Sequence, residues 1–131
     1  MEQTKIFIYV LELEKGKYYV GQTSNPNFLY AEHFKYAGSK WTKRYQEFKR
    51  IVLKEVFVES LQEARLLENW TTLHWMQKKG WRNVRGGEFC KIDDLAHQSD
   101  IEHIFDIETG RIRDFGFQSK YLFGTSPDQI V

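Results

Sequence analysis

Cysteine occurs once in this chain of 131 residues, at Cys90, so no intramolecular disulfide can form. That fits a reducing compartment. No apolar run approaches the roughly 20 residues that a membrane span needs. The first residues, Met1-Glu2-Gln3-Thr4-Lys5, hold no long apolar stretch of the kind found in export signals. These absences predict a soluble, intracellular protein with no membrane partner. Arginine is missing from the whole stretch between Met1 and Arg44, and the net charge is only +1. The overall charge therefore points to no partner.

What is present says more. Four Trp, seven Tyr and ten Phe can build a core in a chain whose length suits one domain. Charge is unevenly spread. Residues 1–90 carry 15 Lys/Arg and 10 Asp/Glu, a balance of +5, while residues 91–131 carry 4 and 8, a balance of −4. A basic body over 1–90 with an acidic C-terminal extension over 91–131 is compatible with nucleic-acid binding by the body. It is equally compatible with an ordinary solvated surface.

The chain opens with Lys5–Leu13, apolar at successive positions and rich in β-branched and aromatic residues. This pattern predicts a strand buried on both faces. Glu14-Lys15-Gly16 reads as a three-residue turn with Gly16 left-handed, and Lys17–Gln22 as the returning strand. That turn sets the register. Leu11 faces Tyr19, Tyr9 faces Gly21, and the two tyrosines share one face. Asn25-Pro26 breaks the chain, and a short helix is expected over 28–36. Residues 39–48 show no clear period. A third strand is expected over Arg50–Val58.

Ser60-Leu61-Gln62-Glu63 is a capping box, so a helix should start at Ser60 and run to about Lys79, stopping at Gly80. Its apolar residues fall on two sides, with Leu61, Ala64 and Trp75 opposite Leu66, Trp70 and Leu73. Glu68 falls among apolar neighbours, where a carboxylate is costly without a partner. Trp81–Arg85 reads as extended, Ile92–His103 as helical, and Ile104–Phe117 as a hairpin around Glu108-Thr109-Gly110.

Phe7-Ile8-Tyr9 followed by Tyr19-Val20-Gly21 resembles the paired tripeptides of the GIY-YIG nucleases, with Phe7 in place of the first glycine. His33 at the end of the first helix, Glu68 in Leu67-Glu68-Asn69-Trp70, and Asn83 before Val84-Arg85-Gly86-Gly87 follow in the family's order. The resemblance covers roughly residues 5–90. It implies an α/β (α+β) fold, with a small, mostly antiparallel three-stranded sheet flanked by helices and a short C-terminal appendage.

It also implies an enzyme, a DNA endonuclease that hydrolyses phosphodiester bonds with one magnesium or manganese ion. Glu68 would hold the metal. Tyr9 or Tyr19 would be the general base. His33 would orient a tyrosine or a phosphate, and Asn83 would fix the local loop. DNA, branched or single-stranded, is the implied partner.

One position departs from the family. The arginine expected four residues before the histidine is Leu29. Losing such a donor costs on the order of 100- to 1000-fold in rate. The alternative is therefore a catalytically weakened domain that binds nucleic acid or a protein. Lys40, Trp41, Lys43 and Arg44 interleave cations with an aromatic ring and are the candidate nucleic-acid contacts. Trp41 there either stacks a base or pins the segment into the core. The remaining histidines and Cys90 lack zinc-site spacing.

Overall fold

The computed structural model describes residues 3–25, 40–46 and 49–113. Strand β1 (Thr4–Glu12) turns through Glu14–Gly16 into β2 (Tyr18–Thr23). Lys15 and Gly16 both take left-handed backbone, at φ 60 and 70. The turn closes with the Leu13 amide donating to the Lys17 carbonyl at 2.7 Å. The register is the one that this turn dictates, with Leu11 opposite Tyr19 and Tyr9 opposite Gly21.

A short helix α1 (Lys40–Arg44) precedes β3 (Lys49–Val58), which pairs antiparallel with β1. The expected helix over 28–36, with Leu29 and His33, lies outside the described residues.

The sheet has four strands, in the order β3-β1-β2-β4, not three. The added strand β4 (Val84–Gly86) pairs parallel with β2. Of the stretch Trp81–Arg85 expected to be extended, only Val84 and Arg85 lie in this strand; Trp81–Asn83 make a 3₁₀ turn instead. A strand this short leaves almost no periodic trace in sequence.

The long helix α2 (Leu61–Lys79) has the expected ends. The Ser60 hydroxyl accepts from the Glu63 amide at 3.0 Å, and Gly80 closes the helix at φ 93. Such a cap contributes about 1 kcal/mol. The Glu63 carboxylate accepts from the Glu59 amide, one residue earlier than a standard capping box would use. Leu61, expected on an apolar side, is 77% exposed because it lies in the first turn, ahead of the packed surface.

β1 is buried on both faces, as its composition predicts. Ile6, Ile8 and Val10 pack with Ala64, Leu67, Leu73 and Met76 of α2. Tyr9, Leu11 and Leu13 pack with Trp41 on the other face.

Residues 91–113 belong to the first of these cores. Helix α3 (Asp94–Ile101) is capped by Asp93, and Ile101 and Phe105 are fully buried beside the residues of α2. A two-residue hairpin, β5 (Phe105–Asp106) with β6 (Arg111–Ile112), turns around Glu108-Thr109-Gly110. The Asp106 carboxylate accepts from the Glu108 and Thr109 amides and closes the turn, and the end of the expected hairpin over 114–117 lies outside the described residues. The remainder of the extension, with Asp114 to Val131, lies outside the described residues.

His97, on α3, is fully buried, and its Nε2 donates to the Trp81 carbonyl at 3.0 Å. Among the described residues its Nδ1 has no hydrogen-bond partner. Burial first, and then the charge of Arg85, push its pKa down to about 4. The folded state therefore binds fewer protons than the unfolded chain between that value and about 6.5. This contribution is intact above pH 6.5 and is lost as the pH falls toward 4. Up to roughly 2–3 kcal/mol is at stake. Chemical denaturation of the native protein and His97→Gln between pH 7 and 4 should show the native protein losing more stability. Parallel losses would show that His97 takes up its proton in the folded protein as readily as in the unfolded chain.

Candidate active site

The hairpin register places Tyr9 and Tyr19 on the sheet face opposite α2, with ring centroids 6.3 Å apart. Tyr9 is 2% exposed, and its ring lies across Gly21 on the neighbouring strand. A Cβ on Gly21 would overlap the Tyr9 hydroxyl. The glycine of Tyr19-Val20-Gly21 is thus required by a side chain of the partner strand.

Glu68 approaches from α2. The Gln22 side-chain amide of β2 donates to Glu68 Oε1 at 3.3 Å. Glu68 is half-buried, and burial pushes its pKa up to about 7 against weaker opposing effects from Gln22 and Arg65. Tyr19 feels this carboxylate. Burial, the Cys90 sulfur and Glu68 all hold the Tyr19 hydroxyl above its ordinary pKa.

Cys90, in the loop past β4, links the two sides. The Tyr19 hydroxyl hydrogen-bonds its sulfur, and the thiol donates to the Gly87 carbonyl at 3.0 Å. Burial and the nearby Glu68 push the thiol up to about 11, so it stays neutral. The loop carrying Cys90 is pinned to α2, where Asn69 Oδ1 accepts from the Glu88 amide at 2.9 Å. Gly87, at φ 53, packs so closely on Asn69 that a Cβ there would overlap its Oδ1.

Tyr19, Glu68, Gln22 and Cys90 therefore form one cluster, with Tyr9 beside Tyr19. This combination of two strand tyrosines with a helix glutamate has a counterpart in sequence comparison, since the family model of the GIY-YIG catalytic domain matches residues 5–79. The chain belongs to the GIY-YIG family. The match spans more than half of the chain. No match is found among curated proteins or among solved structures.

Other residues singled out from the sequence stand elsewhere in this GIY-YIG domain. Asn83 sits at the far end of α2. Its side-chain amide donates to the Lys79 carbonyl at 2.8 Å, and its oxygen accepts from Lys17 Nζ at 2.9 Å. Eleven helical residues separate Glu68 from Lys79, about 16 Å along the axis. Asn83 thus fixes the helix end and the hairpin turn, away from the Glu68 cluster.

Trp41 is 2% exposed, and its indole donates to the Tyr18 carbonyl at 2.9 Å. Arg85 lies over its ring at 4.1 Å, and Tyr45 meets it edge-on. Of the two roles open to it, Trp41 takes the core one. Lys40, Lys43 and Arg44 are exposed around it.

Sequence reasoning missed Gln22, Cys90 and Arg85. Gln22 alone carried a usable signal, as a polar residue closing an otherwise apolar strand.

Among the described residues, no three His, Cys, Asp or Glu side chains gather into a metal site. The donor set beside Tyr19 is one carboxylate, one amide and one hydroxyl, with a neutral thiol. Hard oxygen donors in that number fit a magnesium-type ion that keeps most of its waters. The thiol is no ligand for such an ion.

Glu68 also bears on stability. A carboxyl group raised from its ordinary 4.5 to about 7 favours the folded state when protonated. This contribution is fully present below pH 4.5 and is lost as the pH rises through 7. Without divalent metal, Glu68→Gln should therefore be more stable than the native protein at pH 8, by on the order of 1–3 kcal/mol, and no different near pH 4. Denaturant titrations at the two pH values measure this. Equal stability at pH 8 would show that the carboxylate has a stabilising partner.

Proposed function

We propose that this protein is a divalent-metal-dependent DNA endonuclease, with Glu68 as the metal ligand and Tyr19 as the general base. GIY-YIG domains are generally nuclease domains, and GIY-YIG nucleases act on DNA. The observation that carries this reading is the half-buried Glu68 carboxylate beside the Tyr19 hydroxyl. A buried acid with so weak a set of partners is a liability to the fold, and such groups cluster at functional sites.

A bound divalent ion supplies a Lewis acid that polarises the phosphate and offsets developing charge. Glu68 must be ionised to hold it, so metal affinity should rise with pH up to about 7. Gln22 fixes the carboxylate by donating to its Oε1. Tyr19 sits among negative groups that oppose its ionisation. With a cation held at Glu68, the Tyr19 hydroxyl would give up its proton to solvent more readily, and the phenolate oxygen left behind would accept a proton from water. Cys90 and Gly87 fix the direction of the hydroxyl through their hydrogen bonds. Tyr9 packs beside Tyr19 and holds its ring in place. Lys40, Lys43 and Arg44, exposed on α1, are cations for the DNA backbone.

Leu29 favours a second reading, in which the domain binds DNA or a protein but cuts slowly or not at all. A nicking assay with magnesium on branched and single-stranded DNA separates the two. The native protein should cut, Glu68→Gln should lose cleavage by about 100-fold or more, and Leu29→Arg should raise it by up to about 100- to 1000-fold. No cleavage by either the native or the Leu29→Arg protein, both folded and metal-binding, would establish the binding module instead.

A further inference from the structure

A second group of charges lies at the C-terminal end of α2, about 16 Å along the axis from Glu68. Lys78 and Lys79 end the helix, Arg82 follows in the 3₁₀ turn, and Lys17 joins them from the hairpin. Each rests on an aromatic ring. Lys78 lies 5.4 Å from the Trp75 ring centroid, Lys79 5.5 Å from that of Tyr18, and Arg82 5.1 Å from that of Trp81. Lys17 reaches the rings of Trp41 and Tyr45, and Arg44 shares Tyr45 with it.

The surface is continuous. Lys17 bonds Asn83, Asn83 bonds the Lys79 carbonyl, and Tyr18 stacks on Trp75 at 5.8 Å. Arg44 ties it to the α1 cations.

Helix electrostatics do not account for this surface. A helix end carries about half a negative charge, which one or two lysines satisfy. Five cations gather here, and among the described residues none of them forms an ion pair. Lys78, Lys79, Arg82 and Arg44 are exposed. Like charges so close repel one another unless an anion is shared between them.

We infer that this surface, formed by Lys17, Lys78, Lys79 and Arg82 and continuous with Arg44, binds the phosphate backbone of DNA beyond the cleavage site. The inference rests on the nuclease reading only for the position of the cut. The rings are covered by the cations and are not open to bases. Their work is to hold the long side chains in place, which reduces the entropy lost on binding. Recognition here is by charge and tolerates any sequence. The patch stands about 16 Å along α2 from Glu68, roughly five nucleotide steps of 3.4 Å.

The test is fluorescence anisotropy on labelled 20-nucleotide single-stranded and duplex DNA, in EDTA so that nothing is cut, over a range of salt. The triple variant Lys78→Ala, Lys79→Ala, Arg82→Ala should bind about 10- to 100-fold more weakly at low salt. Its log-affinity slope against log salt should be shallower by about 2–3. Lys78→Arg with Lys79→Arg should bind as the native protein does. Because the metal is removed by EDTA, a failure of catalysis leaves this result standing. A folded triple variant with unchanged affinity and slope overturns the inference. So does a native protein that fails to bind DNA. Capture of poly-glutamate by the native protein, lost in the triple variant while DNA binding is kept, would assign the surface to an acidic protein and overturn it as well.

Discussion

The buried guanidinium of Arg85 is the contact on which the arrangement around the site depends. Arg85 is fully buried, and burial lowers its pKa while Asp94 raises it. A charge in that position costs several kcal/mol unless its donors are satisfied. They are satisfied from several directions at once. Nη1 donates to the carbonyls of Trp81, Arg82 and Val84, Nε to Lys91, and Nη2 to Ile92 and to Asp94 at 2.8 Å. One side chain thus joins the 3₁₀ turn, β4 and the start of the C-terminal segment. Its plane also covers Trp41 and fixes α1 to the same point. Cys90 lies on the loop that this network encloses, and Tyr19 is the residue paired with Arg85 across β2 and β4. The tyrosine and the cysteine sulfur that its hydroxyl bonds both owe their placement to it.

Around that anchor the charges at the site oppose one another. Glu68 raises the resistance of both Tyr19 and Cys90 to ionisation, Cys90 does the same to Tyr19, and desolvation acts on all three. Such a cluster is comfortable only with its protons on. The fold gives up stability near neutral pH to keep a carboxylate there, a pattern expected where a group serves a ligand and not the core. A cation arriving at Glu68 would reverse the sign of these interactions for every member of the cluster.

Much of this was legible in the sequence. The unbroken apolar run in β1, the three-residue turn and the capping box fix local geometry by short-range rules, and each appears where those rules put it. The awkward position of Glu68 was legible for the same reason, since helical spacing sets its neighbours. The parts that escaped depend on contacts distant in sequence. Strand β4 exists only because Val84–Gly86 meets β2, and nothing in three residues announces that. Arg85 reads only as the end of an extended stretch before two glycines, yet it is the most enclosed charge among the described residues. Asn83 holds a place in the family's motif order, but its bonds serve the helix end and the hairpin turn. Cys90 was read through its scarcity, as evidence about disulfides, and its hydrogen bonds became visible only when the loop met Tyr19.

The close approach of Tyr9 to Gly21 bears on what the family's tripeptides mean. Gly21 is required because a ring from the adjacent strand occupies the space where its side chain would be. That requirement persists whether or not a phosphate is ever hydrolysed nearby. A lineage that abandoned turnover would still be held to this glycine by sterics alone, while its acid and its helix cation drifted freely. The tripeptides are therefore a record of architecture, and retained chemistry must be read from the residues that packing does not protect.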